Sequence, residues 1–124
     1  MRMICQNHPD FNYEEAKKLY LKDRELIKDV EDFDEVLSGS HFYSFFLGDE
    51  YIGSIYVYLV GEKVFLNGYA TRGHHQANLE AMRKVLASYS CDIYARSVQK
   101  TAILCLYRLG FKKIGKILYK YERK

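Results

Sequence analysis

Between Ala70 and a helical pattern that begins at Gln76, the chain reads Thr71-Arg72-Gly73-His74-His75. A strand feeding a helix across a short polar turn leaves the first helical N–H groups unpaired and aimed outward, where the helix dipole also favours negative charge. Arg72 adds a guanidinium suited to phosphate oxygens, and imidazoles at His74 and His75 can hydrogen-bond the same group. A phosphorylated ligand, if the protein binds one, belongs at this turn. Just upstream, in Asn67-Gly68-Tyr69-Ala70, Gly68 stands near the end of a strand, where glycine marks a bulge or a close backbone approach. A metal at His74 and His75, completed by His8 or His41, is not expected. Adjacent histidines in a turn diverge, and no carboxylate stands at a helical or turn spacing to complete the set.

The elements that must position this turn follow from periodicity. Met1 to Gln6 is a short apolar run suited to an edge strand, closed by Asn7-His8-Pro9-Asp10. Asn12 is placed to cap a helix with Glu14 and Glu15 in its first turn, and apolar positions at helical spacing carry that helix from Tyr13 to about Val30. A second helical piece, Phe33 to Leu37, stops at Ser38-Gly39-Ser40. Three strand-like runs follow, Phe42 to Leu47, Tyr51 to Val60 and Val64 to Ala70, and the two short turns between them require an antiparallel meander. The helix Gln76 to Leu86 then crosses to a strand at Cys91 to Ala95, which the crossover makes parallel to the strand ending at Ala70. A helix from Ser97 or Val98 to Leu109, capped by Gly110, and a last strand from Phe111 to Tyr121 complete the chain. The expected fold is α/β: a mixed central sheet, an antiparallel meander followed by a parallel β-α-β unit, with helices on both faces.

Length and composition agree with one domain spanning residues 1 to 124, with 48% hydrophobic residues to build a core. The longest apolar stretch, Tyr51 to Val60, is interrupted by Gly53 and Ser54 and is too short to span a bilayer, and the N-terminus lacks a signal-peptide pattern, so a cytoplasmic protein is expected. Cys5, Cys91 and Cys105 lack the spacing of a zinc site or a disulfide framework and are expected to be buried as small apolar side chains. The net charge of +3 conceals an asymmetry: ten acids precede residue 40, while Lys100, Arg108, Lys112, Lys113, Lys116, Lys120, Arg123 and Lys124 crowd the end against Glu122 alone. These runs read as two solvated faces that partly neutralise each other.

The run Thr101-Ala102-Ile103-Leu104-Cys105-Leu106-Tyr107-Arg108-Leu109-Gly110-Phe111-Lys112-Lys113-Ile114-Gly115, taken with the order of elements, resembles the C-terminal signature of GNAT acyltransferases. Element order carries the resemblance over nearly the whole chain, and residue-level similarity runs from about Gln99 to Gly115. It implies an acetyl-CoA cleft where the fourth and fifth strands splay apart. Pantetheine would lie along Gly68, Tyr69 and Ala70, pyrophosphate on Arg72, Gly73, His74, His75, Gln76 and Ala77, and Gln99 would hold the family's asparagine position. Acetyl transfer then needs a base, a backbone N–H on the thioester carbonyl and an acid for the leaving thiolate. Glu50, Asp49, His41 and His74 are the base candidates, and Tyr107 the acid. The sequence departs from the family pattern twice. Whether Arg72 or Ala70 is taken to open the pyrophosphate motif, His75 occupies a glycine position. The place of the family's tyrosine, four residues before Gly110, is held by Leu106, with Tyr107 one residue later and about 100° round the helix.

Three functions follow. The first is an acetyl-CoA-dependent N-acetyltransferase for a small-molecule or protein amine, with the acidic N-terminal helices favouring a cationic acceptor. The second is a catalytically inactive GNAT-fold module that binds a protein partner. The third, nucleic-acid contact through the lysine-rich end, is the weakest of the three. Aromatic residues on the meander suit either a substrate pocket or a homodimer contact.

Overall fold

The structure, a computed structural model, describes residues 2–23, 32–71 and 73–122. Among these, the elements run β1 (Arg2–Cys5), α1 (Tyr13–Asp23), α2 (Phe33–Ser38), β2 (Ser40–Leu47), β3 (Glu50–Val60), β4 (Lys63–Ala70), α3 (His75–Ala87), β5 (Ile93–Arg96), α4 (Lys100–Leu109), β6 (Lys112–Lys113) and β7 (Leu118–Tyr121). The strands form one mixed sheet in the order β1-β2-β3-β4-β5-β7-β6. All neighbours are antiparallel except β4 and β5, whose connection through α3 makes them parallel, as the crossover requires.

The helices cover the sheet on both faces. On one, Leu79, Ala81, Val85 and Leu86 of α3 and Leu106 and Leu109 of α4 pack on Ile55, Val57, Leu66, Ile93 and Tyr119. On the other, Ala16 and Tyr20 of α1 and Phe33 and Val36 of α2 pack on an aromatic group of Phe42, Tyr56 and Tyr69. Phe42 and Tyr56 stack with ring centroids 5.9 Å apart, and Phe33 meets Phe42 edge-on at 5.5 Å, geometries that add to plain burial. Asn12 caps α1 as its position predicts, its Oδ1 accepting from Glu15 N at 3.1 Å.

The structure corrects the sequence reading in three places and leaves one reading outside the residues it describes. The first helix is described from Tyr13 to Asp23, and its predicted continuation toward Val30 lies outside the described residues. The single last strand is two: the chain reverses between Lys113 and Leu118, with Ile114 N and Gly115 N both donating to Leu118 O, so that β7 inserts between β5 and β6. The expected bulge at Gly68 is absent, since the β3–β4 register runs unbroken from Val60↔Lys63 to Gly53↔Ala70, and the irregularity falls instead between Phe45 and Phe46 on β2. Gly68 serves the other purpose of a strand glycine, close approach: a Cβ there would stand 2.8 Å from Ser54 O. The cysteines are not core residues. Strand alternation turns Ile4 inward and leaves Cys5 exposed, Cys91 is exposed before β5, and Cys105 is half-buried.

Candidate functional site at the opening between two strands

The parallel strands β4 and β5 pair only at Val64↔Ile93 and Phe65↔Tyr94. Beyond that point β5 continues with β7, through Ala95↔Tyr119 and Arg96↔Leu118, while β4 stays with β3. The sheet therefore opens between them. Which β4 groups face the opening follows from the ladder: Thr71 N donates to Ile52 O at 2.9 Å, so the paired residues Thr71, Tyr69 and Asn67 direct their backbone groups to β3. Gly68 and Ala70, between them, direct theirs to the opening. At Gly68 the outward N–H is held by its neighbour, donating to Asn67 Oδ1 at 2.8 Å.

Tyr69 is thereby removed from the opening. Its backbone belongs to the β3 ladder, and its side chain is buried on the opposite face, where its hydroxyl donates to Ala16 O at 3.3 Å. Burial pushes the Tyr69 phenol well above the usual tyrosine range, and burial also raises Tyr51, opposed there by the hydroxyls of Ser44 and Ser54.

Directly after β4, the start of α3 is held by three contacts. Asn78, buried on its first turns, donates through Nδ2 to Ile52 O at 3.2 Å and to His74 O at 3.0 Å. Its Oδ1 lies so close to Gly53 that a Cβ there would stand 2.4 Å away. His74, the N-cap, makes no side-chain capping bond and instead pairs its Nε2 with Glu50 Oε2 at 2.6 Å. His75 reaches the other way, to α4: Arg108 donates from Nη1 to His75 Nε2 at 2.5 Å, which leaves Nδ1 to carry the proton and face Cys105 Sγ at 3.8 Å. Burial pushes the Cys105 thiol up, and the Arg108 charge opposes that rise.

The arrangement joins some predicted residues and separates others. Gly68, Ala70, Gly73, His74, His75, Gln76 and Ala77 lie in sequence along the strand end, turn and first helical turn, with Ala77 packed on the core. Arg72 lies outside the described residues. Glu50 and His74, named separately as bases, form one pair. Gln99 is the half-buried N-cap of α4 without a side-chain capping bond. His41 pairs with Tyr89 just past the far end of α3, at 3.1 Å, about 20 Å of helix from the turn. Asp49 is exposed in the β2–β3 turn.

Tyr107 packs edge-on against Tyr119, centroids 5.7 Å apart. It stands about 200° round α4 from Cys105, so the α4 side that meets α3 carries Cys105 and Arg108. His74 and His75 diverge, and among the described residues no group of three or more His, Cys, Asp or Glu side chains converges as metal ligands. Asn67, Asn78, Cys105 and Arg108 went unremarked as site residues in the sequence. The spacing of Cys105 and Arg108, three apart on one helical face, was the one signal available.

On the α1–α2 face beside the opening, Arg96 lies over the Phe65 ring at 4.5 Å, and Lys63 and Lys120 lie over Tyr94 at 5.1 and 5.6 Å. Of these cations Arg96, past the last β4–β5 pair, borders that side of the opening, while Glu14, Glu15, Asp34 and Glu35 of α1 and α2 are exposed.

No protein-family model and no curated protein sequence matches the chain. Solved structures do. An acetyltransferase of Bacillus subtilis in complex with CoA is similar over 99% of this chain and 99% of its own, at TM-score 0.67 and 13% identity. An acetyltransferase of Agrobacterium tumefaciens is similar over 98% of this chain and 91% of its own, at TM-score 0.70 and 11% identity. A GNAT-family protein of Desulfovibrio desulfuricans covers 98% of each chain at TM-score 0.55 and 17% identity. The likeness establishes the fold: this chain has the mixed sheet and helix arrangement of GNAT acetyltransferases.

Proposed function

We propose that this GNAT-fold chain binds an acyl-CoA in the opening between β4 and β5 and transfers the acetyl group to an amine. The observation that carries the reading is the divergence of β4 from β5 after Phe65↔Tyr94, which turns the Gly68 and Ala70 backbone toward a gap that runs up to the N-terminus of α3. The donor set fits such a ligand. A strand edge with outward amides suits the amide groups of pantetheine, and the first-turn N–H groups of α3 suit a pyrophosphate.

Acetyl-CoA supplies the activated thioester, and the chain's residues do the rest. The Gly68 N–H is the donor placed to stabilise negative charge on a carbonyl oxygen. Gly73, Gln76 and Ala77 offer backbone N–H groups to phosphate, with His75 and Arg108 as side-chain donors in place of a glycine-only cradle. The Glu50–His74 pair is the proton acceptor nearest the turn. On α4 the acidic group facing α3 is the Cys105 thiol.

One observation favours a second reading, a GNAT-fold binding protein without acetyl transfer. His75 spans from α3 to Arg108 and Cys105 on α4, across the mouth of the opening. Calorimetric titration with acetyl-CoA and with CoA, on the parent, His75→Gly and Arg108→Ala, separates the two. Micromolar binding by the parent, weakened about tenfold or more in Arg108→Ala, supports the acyl-CoA reading and opens an amine screen. Binding that appears only in His75→Gly supports the second reading. No binding in any of them sinks the first.

A further inference from the structure

Asn67 sits at the point where the sheet divides. Its backbone is paired with Tyr56 across the β3 ladder, so its side chain is free to turn without disturbing the strand. That half-buried side chain folds over the strand edge and accepts the Gly68 N–H at 2.8 Å. The amide it holds lies three residues beyond the last β4–β5 pair, on the edge of β4 that faces the opening. A backbone N–H left bare at a partly buried edge is costly, and Asn67 removes that cost while nothing else is bound.

We infer that Asn67 is a gate on the carbonyl-binding amide: its Oδ1 occupies the Gly68 N–H until a thioester carbonyl displaces it. The inference rests on the acyl-CoA reading above and deepens it, assigning a positioning residue to that site. The exchange replaces one neutral carbonyl acceptor, the carboxamide oxygen, by another, the thioester oxygen, so the donor never faces an unpaired state. The displaced carboxamide is left beside the carbonyl on the α1–α2 side of the sheet, where its oxygen can accept from an incoming N–H. Acyl-CoA therefore binds before the acceptor, because the acceptor's hydrogen-bond partner is released only by the carbonyl.

The test uses the ratio of affinities for acetyl-CoA and CoA, since nucleotide and pantetheine are common to both and only acetyl-CoA brings the carbonyl. Asn67→Ala removes the competing acceptor, and the ratio rises about three- to tenfold in favour of acetyl-CoA. Asn67→Asp puts a carboxylate on the same N–H, a stronger acceptor, and the ratio falls below that of the parent. In the free protein, hydrogen exchange at the Gly68 amide becomes faster in Asn67→Ala and slower in Asn67→Asp. A residue serving only strand stability would move both affinities together and leave their ratio alone. Opposite shifts in the two variants support the gate. An unmoved ratio, with CoA still bound, overturns the gate and leaves the acyl-CoA reading standing. No binding of either ligand by the parent or the variants overturns that reading and the gate with it.

Discussion

Gly53→Ala tests how the start of α3 is held. A Cβ at Gly53 would stand 2.4 Å from Asn78 Oδ1, 3.0 Å from Tyr69 O and 3.3 Å from Ala70 Cβ. The Tyr69 carbonyl belongs to the β3–β4 ladder and has little room to retreat, so the Asn78 side chain gives way. Its bonds to Ile52 O at 3.2 Å and His74 O at 3.0 Å are then lost, and the first turn of α3 loses its tether to β3. Two such bonds at about 1 kcal/mol each, with residual crowding against Tyr69, put the loss at about 2–3 kcal/mol. For a domain of this size that lowers Tm by about 6–15 °C. Asn78→Ala removes the same bonds without the clash and costs about 2 kcal/mol. In the double variant the new methyl enters space the amide has left, so adding Gly53→Ala to Asn78→Ala costs little more. A double-mutant cycle by urea denaturation returns a coupling of about 2–3 kcal/mol. Losses that simply add would refute the argument that these two residues share one space.

The other predictions each isolate one link. Tyr107→Phe changes acetyl-CoA affinity and any turnover less than about twofold, because the Tyr107 ring faces Tyr119 and not α3; a large loss of turnover would show that α4 rotates on binding. In a timed alkylation followed by mass spectrometry, Cys5 and Cys91 are modified first and Cys105 last, since burial raises its thiol. Arg108→Ala slows Cys105 further by removing the charge that opposes that rise; faster modification would contradict the sign. Folding stability falls on the alkaline side: burial raises Tyr51 and Tyr69 in the folded state, so the folded chain keeps protons that the unfolded chain loses above about pH 10. Stability is intact below that pH, and each retained proton then costs about 1.4 kcal/mol per pH unit, read by urea titrations at stepped pH. Tyr51→Phe makes the fall shallower, and an unchanged slope would sink the assignment.

Most of the architecture was legible because its signals are local. The meander was readable from its two tight turns, the parallel pair from the crossover length, and α1's first turn from Asn12, whose side chain bonds three residues on. The last strand was misread for a related reason: from Phe111 to Tyr121 apolar and lysine residues alternate loosely enough to look continuous. The reversal at Gly115 shows only when both Ile114 N and Gly115 N find Leu118 O. The bulge at Gly68 failed because glycine marks either a bulge or a close approach, and only the position of Ser54 O distinguishes them.

The candidate site was legible as a place and not as a mechanism. The turn from Thr71 to His75 announces a helix N-terminus by composition, but the contacts that orient it join residues far apart in the chain. Asn78 reaches Ile52 over 26 residues, His74 reaches Glu50 over 24, and Arg108 reaches His75 over 33. Periodicity reports which face of one element is apolar; it does not report which element lies opposite a given polar side chain. A histidine at the glycine position of the resembled motif therefore read as a departure from a bare-amide cradle whose imidazole could itself meet a phosphate, with no sign of what it would touch. In the folded chain the same histidine meets a guanidinium from α4, and on the acyl-CoA reading a charged donor carried on a second helix takes the place of a loop of bare amides. A cradle of bare amides is preformed, whereas Arg108 gives one donor, Nη1, to His75 and keeps its other guanidinium N–H groups for an anion. On the acyl-CoA reading, an anion at this turn would touch both α3 and α4, the two helices joined by the His75–Arg108 contact.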